Sequence, residues 1–298
     1  MHGKINYDRK DFLMGPYVPE ELTGSSSYLD VVSWNIRDFT KFDAERIGLV
    51  ASIIQEIQAD IFVFQEVNPV ALDPVIELLS KAEIGHYQVE YGDSGENLRL
   101  ALMYNINKIS LLTPTEELFK DENLTTENGI AVFPRLPLKG YFKARLKRKD
   151  AINFELVGIH LKSQRGKSKG VHQRKMAAER LSEWALNEAK DEDVLIIGDW
   201  NASYEKREWD CLKELESKGR LRLGSINYLT ENSHLYKKDG DRLDFAVLTS
   251  ELGKALASKA RVIRWNDLDN ELSKQQAKQK ISDHFPILIR FFWIDSDR

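Results

Sequence analysis

From residue 29 almost to its end, the chain alternates short apolar runs with longer amphipathic stretches. Leu29–Trp34, Ile61–Gln65 and Val194–Ile197 are compact runs rich in β-branched and aromatic residues, as in strands covered on both faces. Between them the period changes. Asp43 caps a predicted helix that carries Ile47, Val50, Ile54 and Ile57 on one face. Further helices are predicted over 70–82, over 171–189 with Met176, Leu181, Trp184 and Leu186, and near 205–218. Tyr87–Tyr91, Leu98–Asn105, Lys108–Leu112, Gly140–Leu146, Phe154–His160, Phe245–Leu248 and Pro286–Phe292 read as strands. Residues 1–27 lack periodicity, end in GSSS and read as an N-terminal extension, and polar 266–279 reads as a surface helix or a loop. With no repeat or internal linker, the pattern predicts one domain over 28–298, an α/β sandwich of two sheets covered by helices.

Composition narrows this picture. Of 298 residues, 42% are hydrophobic, as in globular proteins. No apolar run approaches a membrane span, and MHGKINYDRKDF is not a secretory signal. One cysteine, Cys211, excludes an internal disulfide and a cysteine-based zinc site, so a cytoplasmic protein is expected. The net charge of −4 argues against bulk binding to nucleic acid. Its distribution argues otherwise. Arg135, Lys139, Lys143, Arg145, Lys147, Arg148 and Lys149 form one acid-free run; Lys162, Arg165, Lys167, Lys169, Arg174 and Lys175 form another. The runs bracket one predicted strand and predict a positive rim.

Polar residues recur where these apolar runs end: Asn35 in VVSWNI, Glu66 in IFVFQEV, His160 in LVGIHLKS, Asp199 and Asn201 in VLIIGDWNAS, Asp244 in DRLDFAVL, and Asp283–His284 in ISDHFPI. Residues two apart on an extended chain point the same way, so Asp199 and Asn201 project together. Strand ends on one side of a sheet converge, so all of these side chains can share one pocket. Oxygen ligands without cysteine suit Mg²⁺ or Mn²⁺, which accepts one or two carboxylates, keeps waters and leaves room for a phosphate oxygen. Phosphoester cleavage needs that Lewis acid and an activated water. A histidine such as His284, oriented by a carboxylate such as Asp244, can act as a base near neutral pH.

WNI, QE, HLKS, GDWNA, RLDF and SDHFP, in this order from Asn35 to Pro286, resemble the endonuclease/exonuclease/phosphatase superfamily. The resemblance implies a four-layered α/β sandwich, two mostly antiparallel sheets packed face to face and flanked by helices, and metal-dependent phosphoester hydrolysis. It makes Glu66 the main metal ligand, with Asn35 and Asp283 close to the metal. It gives Asp199 and Asn201 to the attacking water and the scissile phosphate, and pairs His284, as general base or phosphate-stabilising imidazolium, with Asp244. His160 contacts the phosphate from the other side.

Within the superfamily, His160 is similar to the deoxyribonuclease-I-like, sphingomyelinase-like and inositol-phosphatase-like branches. Asp241-Arg242-Leu243-Asp244 departs from the Cys-Asp-Arg of inositol phosphatases. Arg135 in FPRLP resembles a phosphate-contacting arginine of the deoxyribonuclease type. HLKS, whose Lys162 opens the second basic run, resembles bacterial nucleases and makes Lys162 a phosphate contact. Asn68 stands where DNA-cleaving members often carry Arg or Lys.

The expectation is therefore a Mg²⁺-dependent, deoxyribonuclease-I-like endonuclease, a monomer acting on nucleic acid without a protein partner. The alternatives are a phosphatase or phosphodiesterase for a small phospho-compound or lipid headgroup, and a non-catalytic binding protein. Taken singly, Asn35, Glu66, Asp199 and Asn201 each have a structural explanation as turn or cap residues; the catalytic reading rests on their joint order. His86 and His234 read as filler, Trp200 as core packing, and Glu96 and Arg99 as weaker candidates for a His160 partner and a substrate contact.

Overall fold

The computed structural model describes residues 16–147, 149–164, 167–224, 231–236, 242–265 and 272–295. Residues 1–15, Arg148, Arg165, Asp241 and 266–271 lie outside the described residues. The chain runs β1 (Leu29–Phe39), α1 (Ala44–Ile57), β2 (Ile61–Val67), α2 (Asp73–Lys81), β3 (Tyr87–Tyr91), β4 (Arg99–Asn105), β5 (Ile109–Glu117), β6 (Leu138–Ala144) and β7 (Asn153–His160). It continues with α3 (Lys167–Asn187), β8 (Val194–Asp199), α4 (Asp210–Ser217), β9 (Leu221–Gly224), β10 (Asp244–Thr249), β11 (Leu256–Val262), α5 (Lys274–Lys280) and β12 (Ile287–Phe291).

The strands form two six-stranded sheets, ordered β11-β12-β1-β2-β4-β3 and β5-β6-β7-β8-β10-β9. Each sheet has one parallel pair at its centre, β1 with β2 and β7 with β8, and is otherwise antiparallel. A parallel pair needs a crossover, and α1 and α3 supply them. The two sheets therefore repeat one plan, strand for strand. Their inner faces meet through Tyr104 on Phe142, with centroids 5.3 Å apart, and Phe154 on Phe291, 6.1 Å apart. Helices cover the outer faces, completing the four-layered α/β sandwich.

Both parallel pairs are buried on both faces, which is why their sequences lack alternation. α1 starts where expected, with the Asp43 carboxylate accepting from Arg46 N at 3.0 Å. Three expectations shift. β5 runs on to Glu117, with Thr113–Thr115 turning an exposed or half-exposed side to solvent at the sheet edge. The short β9 and the edge strand β11, with exposed Ser258 and Lys259, were not legible as apolar runs. Within 16–27, a 3₁₀ turn at Glu20–Leu22 and buried Tyr17, Val18 and Leu22 pack onto the body, and the Glu56 carboxylate accepts from Tyr17 N and Val18 N.

Candidate active site

The C-terminal ends of β1, β2, β7 and β8 and the N-terminal ends of β10 and β12 open on one rim. Parallel register places His160 beside Asp199, and antiparallel register places Asp244 on its other side. Asp199 is fully enclosed. Its Oδ1 accepts from Asn201 N at 2.8 Å, and its Oδ2 accepts from Asn35 Nδ2 at 3.1 Å. Asn201 has φ +61°, and its Nδ2 donates to Leu161 O at 3.0 Å. Trp200, between them, points into the core: it stacks on Phe245 at 4.5 Å and donates Nε1–H to Phe245 O.

Glu66 reaches the same place through irregular backbone. The β1–β2 register shifts between Asn35 and Phe39, and the β2–β4 register shifts between Phe64 and Val67. Such bulges re-aim side chains at strand ends. Arg37, Asp38 and Glu66 all have positive φ (43°, 46° and 60°), a conformation that costs a non-glycine residue about 1–3 kcal/mol and concentrates at functional sites. In return, Glu66 Oε1 accepts from Asn35 Nδ2 at 3.3 Å, and Glu66 Oε2 accepts from Asp38 N at 3.2 Å.

Two imidazoles flank Asp199. His160 Nε2 stands 3.5 Å and His284 Nε2 3.8 Å from Asp199 Oδ2. Although His160 is also 3.8 Å from Glu66, these are not ion pairs. Burial, then the charges of Arg135 and His284, hold its ring well below the ordinary histidine value, so it is neutral. His284 is the opposite case. Burial opposes its charge, but Asp244, hydrogen-bonded to Nδ1 at 2.9 Å, and Asp199 outweigh burial and push it up to about 10. Burial and the Asp244 charge raise Asp199 to about 7.

Arg135 is half-buried, donates Nε–H to Leu98 O at 2.7 Å and feels the charges of Glu66 and Asp199. Lys162 follows at the end of β7, and its ammonium makes no hydrogen bond or ion pair among the described residues. Asp283 is drawn elsewhere. Its Oδ2 is 2.9 Å from Lys278 Nζ, 3.8 Å from Arg37 Nε and 3.9 Å from His234 Nε2. Burial acts to raise its pKa, but Lys278 and the two histidines win and hold it below the usual value. Among the described residues it makes no hydrogen bond or ion pair with Asn35 or Glu66.

The expected positive rim does not form as one feature. The β6–β7 register carries Arg145, Lys147 and Lys149 to the end of the sheet opposite His160. Lys139 is buried with Glu116 and Glu155, and Arg174 with Glu208 at 2.6 Å. Glu96 is exposed and does not reach His160, whose buried Nδ1 has no partner among the described residues. Arg99 is spent on Glu96 O and Gly92 O.

Sequence patterning missed four contributors. His234 packs edge-on against His284, centroids 4.7 Å apart, through an isolated bridge rather than a strand. Ser233 Oγ accepts from Leu243 N and Asp244 N. Ser282 Oγ donates to Asn35 O at 2.7 Å and accepts from His284 N at 3.1 Å. Arg46, buried on α1, donates to the carbonyls of Ile36, Arg37, Asp38 and Ile281. None ends an apolar run, and only the SDH string hinted at Ser282.

The donor set fits a hard divalent cation. Glu66, whose side chain is 23% exposed, offers carboxylate oxygen beside Asp199, with no sulfur near, whereas Asn35 turns Nδ2 to both carboxylates and its Oδ1 accepts from Arg37 N at 2.9 Å. Ligand atoms of Asp199, Asp244 and His284 lie within 4.8 Å of one another, as do those of His234, Asp283 and His284.

Two repeated sheets with carboxylates, amides and imidazoles gathered on one rim define a hydrolytic α/β sandwich. The chain belongs to the endonuclease/exonuclease/phosphatase family, whose profile matches residues 32–284. Members are hydrolytic phosphoesterases, generally dependent on a divalent metal. No curated protein matches the chain. Among solved structures, it is similar to a Bacteroides thetaiotaomicron endonuclease/exonuclease/phosphatase family protein (TM-score 0.63, 19% identity, covering 91% of this chain and 97% of that one). It is also similar to a Bacteroides thetaiotaomicron mannosyl-6-phosphatase (0.59, 18%, 89% and 100%). A third is D. rerio TDP2 complexed with a single strand DNA product (0.57, 17%, 89% and 99%). At these identities the likeness is one of fold. Among the described residues, no helix is long and apolar enough to cross a membrane.

Proposed function

We propose that this protein hydrolyses phosphodiester bonds in nucleic acid, with Mg²⁺ or Mn²⁺, by direct attack of water on phosphorus. The observation that carries the proposal is the pair of imidazoles converging on one buried carboxylate, His160 at 3.5 Å and His284 at 3.8 Å from Asp199 Oδ2, beside Asn35 and Glu66. Glu66 would hold the cation; Asn35 would join it only by turning Oδ1 inward from Arg37 N, and Asp283 only on leaving Lys278. Bound there, the cation supplies Lewis-acid polarisation of a phosphoryl oxygen.

The protein's own groups do the rest. Asp199, set between His160 and His284 with Asn35 on its Oδ2, takes a proton from the water that Asn201 helps to orient. His284 stays charged against Asp244 and steadies the charge growing on the phosphate, so of its two expected roles the imidazolium is favoured. Neutral His160 approaches from the opposite side as a hydrogen-bond donor, and Arg135 and Lys162 hold phosphate oxygens.

Nicking of closed circular DNA with Mg²⁺, Mn²⁺ or EDTA tests this. Metal-dependent nicking is expected, with Glu66→Ala and His284→Ala each slower by at least about 10²-fold. A second reading, hydrolysis of a small phosphorylated compound, is favoured by the removal of Arg145, Lys147 and Lys149 from the rim. Hydrolysis of a phosphomonoester reporter without nicking selects it.

A further inference from the structure

One face beside the site meets the chemistry above through Lys278 and Arg37, which face Asp283. It is built from the segment 40–43 between β1 and α1, from Tyr236 and from α5. Phe42 is 82% exposed, the most exposed large apolar side chain among the described residues, and Tyr236 is 51% exposed. Cations attend both rings: Lys41 Nζ is 5.6 Å from the Phe42 centroid, and Lys278 Nζ is 5.3 Å from that of Tyr236. Contacts join the face to the catalytic centre. Tyr236 N donates to His234 Nδ1, and the His234 ring abuts His284. Arg37 Nη1 donates to Lys278 O, and Lys280 pairs with Glu45, fixing the end of α5 beside the start of α1 just past Phe42.

We infer that this face is a stacking platform for unpaired bases of a strand whose phosphate enters the site. The inference rests on the nuclease reading above and adds the substrate class, single-stranded or locally opened nucleic acid. Solvent-facing aromatic rings interleaved with cations are the composition of single-strand sites, because every base has a π-face and every step a phosphate. A ring left 82% exposed forgoes burial of its own apolar surface, and an incoming base supplies it. Tracking an intact duplex calls for a continuous row of phosphate contacts, and the basic run that suggested one is split between two ends of the sheet.

The test compares 12-nucleotide single strands with strands of equal length and charge that lack bases, by fluorescence anisotropy with Ca²⁺ replacing Mg²⁺, and follows cleavage in Mg²⁺ in parallel. The intact strand should bind more tightly than the abasic one. Phe42→Ala and Tyr236→Ala should each weaken binding of the intact strand about 5- to 100-fold and leave the abasic affinity much less changed, with Phe42→Trp restoring it. Equal affinity for the two strands, with cleavage intact, overturns the platform alone. No cleavage of any strand, with a small phosphoester still hydrolysed, overturns the nuclease reading and the platform with it.

Discussion

Asp199 keeps its place between His160 and Asp244 only because the residue before it has no side chain. A Cβ on Gly198 would lie 2.1 Å from Ile159 O and 2.9 Å from the Ile159 side chain, at φ +155°. β7 and β8 therefore approach closely just where His160 and Asp199 face one another. Gly198→Ala must push these strands apart or twist Asp199 away. We expect a loss of about 1–3 kcal/mol in stability by denaturant unfolding and a fall in turnover larger than stability explains. At this scale much was legible. Asn35, Glu66, His160, Asp199, Asn201, Asp244 and His284 each end or open an apolar run, and the structure gathers them. The turned backbone at Arg37, Asp38 and Glu66 was not legible, because no glycine or asparagine announces it. His234 was hidden as well, since it arrives on an isolated bridge.

Among the elements, α1 does more than cross between strands. Its Arg46 guanidinium gathers carbonyls from the bulged end of β1 and from Ile281, two residues before Asp283, so it ties the Asn35–Glu66 side of the site to the His284 side. Arg46→Ala leaves buried carbonyls unpaired, each at about 1–3 kcal/mol. The expected result is lower stability and at least a tenfold fall in kcat, since about 1 Å of misplacement can cost 10²-fold. Added guanidinium should restore part of the kcat, and Arg46→Lys should fall between. Unchanged kcat in a folded Arg46→Ala variant would show that the two sides hold their places without it. Charge was the poorer guide at this scale. A run of cations spanning β6 reads as one patch in sequence, yet at about 3.3 Å per residue the strand carries its two ends roughly 20 Å apart.

Across the whole molecule, the end away from the site holds its own buried charges. Asp30, fully buried on β1, meets Arg290 Nε at 3.0 Å, and its backbone N–H donates to Asp60, which pairs with Lys108 at 2.8 Å. Burial, only partly offset by Arg290, raises Asp30 from its ordinary value of 3.8 to about 6. A raised acid binds its proton more tightly folded than unfolded. Its contribution is thus present below about pH 4 and is lost as pH rises through 6. Comparing Asp30→Asn with the parent by urea unfolding across that window, we expect the variant to gain relative stability as pH rises, by up to about 3 kcal/mol. A pH-independent difference would place the proton elsewhere.

The repeated sheet plan has a consequence for how the molecule is made. One sheet is written almost continuously, from β5 to β10, but the other is begun by β1 to β4 and finished only by β11 and β12. A ribosome delivering the chain therefore releases the Asn35–Glu66 half with an open edge at β1, and that edge waits through nearly two hundred residues of synthesis for its partner strand. His284 arrives on the same closing segment. The imidazole that faces Asp199 and Asp244 therefore reaches the rim only with the segment that closes the edge of β1.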